Sequence, residues 1–427
     1  MSGLRGWANR SLWHIRQVGP RSAAFIDRFT ARFVVPLVAA AGLIVLALTE
    51  RARVRWRRFR GKRPRLVWGP SAILNNKYWS EAVAARGYES VTYAHAPIAI
   101  LAREDFDVYR DDVVERSRVP ERLHPYVPFA WALRHGDVFF RYFDGGYLSD
   151  TPLEWRELDL MRLAGKKLVV SPFGGDIAIP GHLGVLEEPL LRDYPDLPKQ
   201  ADLIKRRVLH LAEHADANVL TIQPGFQPGV NVLWGNQLGI DTEMWSAPAE
   251  ISGADGSSGE VVVLHAPNHR EIKGTALLER AVEELRDERM QIRLEILEGR
   301  PNTEVRAAMA TADIVADQFV FGYGLFATEA MASGKPVLSN LSHLPELFSE
   351  SIQMRACPIV SSTPETLKDD LRSLTTDPGR RRELGEAGRR FVAEYHSYEA
   401  VAKGWEAIAQ FAWARTPLPQ EFAVPED

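Results

Sequence analysis

The chain has 427 residues, 45% of them hydrophobic and 25% charged, a balance that gives a globular core, leaves room for two domains and excludes a disordered protein. The formal charge of −4 is uneven: before Leu66 nearly every charged residue is Arg or Lys, so the remainder is acidic, which excludes a nucleic-acid protein with a basic folded surface. The one cysteine, Cys357, excludes an intramolecular disulfide and a thiolate-rich zinc site, fits a reducing compartment, and reads as a buried structural residue.

Residues 1–64 read as a leader. FVVPLVAAAGLIVLAL, at 33–48, carries no charge and is bracketed by Arg32 and Glu50. A helix rises about 1.5 Å per residue and the hydrocarbon core is about 30 Å thick, so this run is marginal for a full crossing. TERARVRWRRFRGKRPR follows, dense in basic residues, and reads as cytoplasmic and drawn to anionic lipid. The first 32 residues carry six Arg and one Asp, with Trp7, Trp13, Phe25 and Phe29 between them, as an amphipathic helix on the same membrane face would. With both flanks basic, spanning and one-leaflet insertion stay open. A cleaved signal peptide would begin closer to Met1 and show a small-residue cleavage site. The expectation is an anchor at the cytoplasmic membrane with the folded domains in the cytosol.

From Arg65 the pattern alternates. RLVWG reads as a strand, NKYWSEAVAARG as a helix ending at Gly87, and ESVTYAH as a strand. DVFFRYF (137–143), KKLVVSPFGG (166–175) and ANVLTI are further strands, with helix signals at 201–215. Segment 225–260 is rich in Gly, Pro, Ser and Asp, and ISGADGSSGE looks like a linker. A second series follows: strands VVVLHAP, QIRLEILEG, DIVADQ and KPVLSN, with helices KGTALLERAVEELRD, NTEVRAAMATAD and FATEAMASG between them, then a helical tail at 364–413. This grammar predicts an α/β chain of two Rossmann-like, doubly wound domains behind the membrane-anchor helix, at 65–245 and 261–395, with 396–427 returning to the first. Ligand is expected in the crevice at the carboxyl ends of the strands.

The chemistry concentrates in FGYGLFATEAMASGKPV, 321–337. Gly322 and Gly324 frame a turn that opens a helix at Leu325, whose free N–H groups and positive dipole end suit a pyrophosphate. Glu329 lies about 7 Å further along the axis, where a ribose joined to that pyrophosphate falls, and a carboxylate accepts two hydroxyl protons. HAPNHREIKG puts Asn268, Arg270 and Lys273 in the loop after a strand, where cations offset diphosphate charge. His265 reads either as a phosphate donor or as a packed core histidine. No Asp-x-Asp stands in a loop suited to Mg²⁺, so neither metal nor other cofactor is expected.

These motifs resemble the GT-B glycosyltransferases often called family 4, which retain the anomeric configuration. The resemblance covers about residues 65–415 and is strongest at 261–347. Lys273-Gly274 matches the family's Lys-Gly, Ala312-Asp313 its Ala-Asp, Glu329 to Val337 its Glu-Ala-Met-Ala-x-Gly-x-Pro-Val, and Pro345-Glu346 its Pro-Glu. LWGNQLGIDTEMW is similar to the interdomain Asn-Gly-x-Asp-Thr segment, and RRRELGEAGRRFVAEYHSYEAVAKGW to the closing helices. The resemblance implies that Glu329 holds the ribose, and that Lys273 with a nearby Arg holds the diphosphate.

Three positions depart from the family. Phe321 stands where a Glu contacts the donor sugar, with Asp317 as the candidate replacement. Asn268 stands where the diphosphate Arg does, so Arg270 has to reach from a shifted place. SPFGGDI has Phe173 in place of a His but keeps Asp176, read either as an acceptor-side catalytic residue or as a turn Asp. Such departures resemble relatives from bacterial polysaccharide assembly. By analogy Gly69, Asn75, Asn76 and Lys77, in the first βα loop, face the acceptor.

The resemblance implies a transferase that moves sugar from a nucleotide-sugar to a lipid-linked or polysaccharide acceptor. A nucleotide-sugar epimerase of the same fold and a non-catalytic membrane scaffold are the alternatives.

Overall fold

The computed structural model describes residues 28–98, 101–234, 237–245 and 251–422. Trp7, Trp13 and Phe25, in the expected amphipathic segment, lie outside the described residues, as do Gly235 and Asn236. The chain forms two compact units: Met1–Lys62 with Arg110–His135 and Gly146–Lys166, and the remainder from Arg63.

The first unit is built on one continuous helix, Thr30–Phe59, the described helix long and apolar enough to cross a membrane. Ala39, Leu43, Ala47, Glu50 and Val54, spaced three or four apart, form a buried stripe. Leu37, Val38, Val45 and Leu48 stay exposed. The helix packs against helices Val127–His135 and Glu157–Leu163. Where the apolar run gives way to the basic one, Glu50 pairs with Lys166 at 3.3 Å, both side chains fully buried. Segments 110–135 and 146–166, read from sequence within the first Rossmann half, thus belong with the leader helix.

The second unit holds two wholly parallel sheets. In the first, strands β1 (Leu66–Trp68), β2 (Ser90–Ala94), β3 (Val108–Tyr109), β4 (Val138–Arg141), β5 (Lys167–Val170) and β6 (Ala217–Asn218) run in the order 3-2-1-4-5-6, the doubly wound arrangement. In the second, β7 (Val261–His265), β8 (Ile292–Ile296), β9 (Ile314–Ala316), β10 (Val337–Ser339) and β11 (Val360–Ser361) run in the order 11-10-9-7-8. β1, β4 and β7 are buried along their whole length, as parallel strands covered on both faces must be. The edge strands β3 and β11, two residues each, went unread in the sequence.

Two features join the sheets. Helix Tyr398–Ala414 returns to the first, where Trp405 packs among Trp68, Trp79, Phe140 and Trp234. Phe321 sits in a dry seam with Ala178, Leu183, Leu186, Leu190 and Leu197 of the first half and Leu344 of the second. Phe321, where the resemblance expects a Glu, is therefore a core residue.

Candidate active site

A cavity of about 440 Å³ lies between the carboxyl ends of the two sheets, walled by the loops after β1, β5 and β6 on one side and after β7, β8 and β9 on the other. That is where the topology of open α/β sheets places a ligand. Asn75, Asn268, Lys273, Gly324, Leu325 and Glu329, all singled out from sequence, line it together.

Lys273 projects from the loop after β7 and its ammonium meets Asp317 Oδ1 at 2.7 Å. The other oxygen of Asp317 accepts the Gly324 backbone N–H, also at 2.7 Å. This carboxylate is fully buried and is not among the lining residues, so Asp317 braces the cation and the start of helix Leu325–Ala332. Gly322 donates its N–H to the Asn340 carbonyl and accepts from the Ser339 hydroxyl, each at 2.6 Å, pinning the turn from outside the cavity. Leu325 and Phe326, both lining residues, then begin the helix, whose first N–H groups have no partner within it.

Glu329 is 4% exposed and accepts one hydrogen bond, from Asn302 Nδ2 at 3.2 Å. Burial raises its pKa to about 8, Asn302 opposing the rise and the charge of Asp317 adding to it. At neutral pH this side chain is therefore mostly the neutral acid.

Five other candidates do not line the cavity. Arg270 does not face the cavity: its guanidinium is held by Glu279 at 2.6 Å and Glu298 at 3.4 Å. Asp176 is a turn residue, its carboxylate accepting the N–H groups of Phe143, Phe173 and Gly174 at 2.8, 3.0 and 2.9 Å. Burial lifts its pKa to about 7 against those three donors. Lys77 is taken by Asp105 at 2.7 Å. Asn76 donates to the Ser71 carbonyl at 3.0 Å inside the first turn. Gly69 serves a close approach: a Cβ there would stand 2.1 Å from the Tyr93 carbonyl oxygen.

His265 is fully buried, with Nδ1 at 2.8 Å from the Ala316 carbonyl and Nε2 at 2.9 Å from the Thr275 hydroxyl. Burial lowers its pKa to about 4, so it is a neutral core residue. Cys357 packs beside the second-half core with its pKa pushed by burial to about 12.

Sequence reasoning missed Arg300 and Asn302, which enter the cavity from the loop after β8. The rule applied to the loop after β7 would have found them. Phe173 lines the first-half wall, edge-on to Tyr142 at 5.3 Å.

Residues 281–407 match a family model described as glycosyl transferase-like. The MMP alpha-(1->4)-mannosyltransferase of Mycolicibacterium hassiacum is 26% identical over 255 residues, 53% of this chain, and the match spans 60% of the relative's length. The sucrose-phosphate synthase of Thermosynechococcus elongatus superposes with a TM-score of 0.50 at 14% identity, over 83% of this chain and 100% of the other. The fold is that of the GT-B glycosyltransferases. HepE of Anabaena in complex with UDP-glucose (TM-score 0.50, 14% identical, 81% of this chain and all of the other) has the same fold. So does an alpha-glucosyltransferase in complex with UDP and DNA (0.52, 10%, 81% and 100%). The glycosyltransferase resemblance read from the motifs is thus shared by sequence and fold alike.

Proposed function

We propose that this protein is a glycosyltransferase of the retaining family-4 type, moving a sugar from a nucleoside-diphosphate donor to a lipid-linked or polysaccharide acceptor at the cytoplasmic membrane face. The observation that carries the reading is the convergence of Lys273, the N-terminus of helix Leu325–Ala332 and the Glu329–Asn302 pair on one cavity. The diphosphate docks on the amides after Gly324 with Lys273 beside it, and the ribose hydroxyls meet Glu329. A cation and a helix dipole preorganised around the leaving group stabilise the charge that develops on it, the task a metal ion performs elsewhere.

In the reaction the bond from the anomeric carbon to the diphosphate oxygen breaks and a bond to the acceptor oxygen forms. The acceptor's proton leaves on a base. Glu329 is the one carboxylate among the described lining residues and it faces the ribose, so the departing diphosphate is the base at hand. That suits retention, since inversion calls for a separate protein base on the acceptor side.

The apolar helix Thr30–Phe59 with its basic second half supports the membrane assignment. The named activity of the mannosyltransferase relative and the UDP-glucose of the HepE complex support a nucleotide-sugar donor. One observation favours a second reading, a non-catalytic binder: Asp317 already neutralises Lys273. Membranes containing the full chain, incubated with labelled UDP-, GDP- and dTDP-sugars, are expected to label the lipid extract. Nucleotide binding with no label in lipid or polysaccharide would favour the binder, and neither binding nor label would sink both.

A further inference from the structure

With the diphosphate at Gly324 and Lys273 and the ribose at Glu329, a nucleotide carries its base on the side of the ribose away from the phosphates. Asn302, bonded to Glu329, marks the wall that continues from the ribose position, and this wall is the loop after β8: Leu297, Gly299 and Arg300, with Val305 one turn on. Gly299 takes a φ of 64°, in the left-handed region that side chains resist, and Pro301 caps helix Asn302–Thr311. The backbone of Arg300 is therefore fixed on both sides while its side chain is 59% exposed.

Arg300 is the one cation among the described lining residues that no buried carboxylate holds. Lys273 is tied to Asp317, whereas the nearest acid to Arg300 is Glu304 at 3.8 Å, itself 53% exposed. A planar guanidinium, on a wall that also carries the apolar Leu297 and Val305, can lie on an aromatic ring and donate from its edge to ring carbonyls or nitrogens. We infer that Arg300 covers the nucleobase of the donor and sets which nucleotide the site accepts. This rests on the donor site proposed above.

The test is titration calorimetry on the full chain with UDP, GDP, dTDP and inorganic pyrophosphate. Arg300→Ala is expected to weaken the preferred nucleotide about tenfold or more, to level the ranking among bases, and to leave pyrophosphate within about twofold. Arg300→Lys keeps the charge without the plane and is expected to behave like the alanine variant. Arg270→Ala, which removes a side chain outside the cavity, is expected to match wild type. A lysine variant with wild-type affinity and ranking, or a pyrophosphate loss equal to the nucleotide loss, would show that Arg300 acts as a bare charge and overturn the inference. If wild type binds pyrophosphate but no nucleotide, the donor reading itself falls and this inference with it.

Discussion

The two walls of the cavity differ in kind. The first half contributes Ile73, Leu74, Asn75, Phe173, Thr221 and Gln223, apolar or neutral side chains without a formal charge. The second half contributes Lys273, Arg300 and Glu329. A diphosphate needs charge and hydrogen bonds held in place before it arrives, whereas a sugar hydroxyl or an isoprenoid needs shape and neutral polar groups. On the proposed function, the asymmetry puts the donor on the charged wall and the acceptor on the neutral one.

The sharpest way to break this comparison is to remove the charged wall's cation. Lys273→Ala is expected to cost about a hundredfold or more in turnover, the scale seen when one preorganised group facing the developing charge is lost. Asp317, left without its partner in the interior, adds a fold penalty of about 3 kcal/mol, because an unpaired buried carboxylate is costly. Measuring turnover alongside thermal stability separates the two, and a variant that keeps more than a tenth of wild-type turnover would refute the assignment of donor charge to this wall.

The second prediction uses pH. Burial holds Glu329 mostly neutral at pH 7, with a pKa of about 8 against 4.5 in water. A ribose that donates two hydroxyl protons binds best to the carboxylate, so nucleotide binding releases a proton from this residue. Affinity is then expected to rise with pH by roughly fivefold to tenfold between pH 7 and 8.5 and to level above it. The same shift destabilises the empty fold as pH climbs from 4.5 through 8, because the folded chain binds the proton more tightly than the unfolded one. Glu329→Gln should flatten the affinity profile. Calorimetry in buffers of differing ionisation enthalpy counts the proton directly, and uptake instead of release would reverse the sign and refute the argument.

The comparison also explains what the sequence disclosed. Strand and helix periodicity told both sheets, since β1, β4 and β7 are apolar runs flanked by turn residues, while β3 and β11 are too short to carry a period. Glycine framing at 322–324 told where helix Leu325–Ala332 begins, because a helix start is a local property of the chain, and Gly324, Leu325 and Glu329 do line the cavity. Arg270 misled because its partners Glu279 and Glu298 come from later elements, and only the fold brings them within reach. Asp317 misled likewise: a carboxylate beside a Gly-rich turn reads as a ligand contact until Lys273, 44 residues earlier, is seen against it. Arg300 was hidden because no motif surrounds it, only its place after an edge strand.

Asp176 gives the smallest expected effect on transfer and the cleanest separation of scaffold from chemistry. Three backbone N–H groups converge on its two oxygens and take three of their roughly four lone-pair sites, in a side chain that is itself buried. Asn in its place keeps one acceptor oxygen and turns an NH₂ group toward an amide donor, leaving at least one buried N–H unpaired at a cost of about 1–3 kcal/mol. The turn at Gly174 and Gly175 that carries Phe173 into the cavity loosens with it. Asp176→Asn is therefore expected to lower the unfolding midpoint in urea while nucleotide affinity stays within about twofold and turnover within about fivefold, the latter through a weaker acceptor KM. A loss in turnover as large as that of Lys273→Ala, at unchanged stability, would instead put the carboxylate in the chemistry, give the neutral wall a charge of its own, and end the division of labour between the two halves.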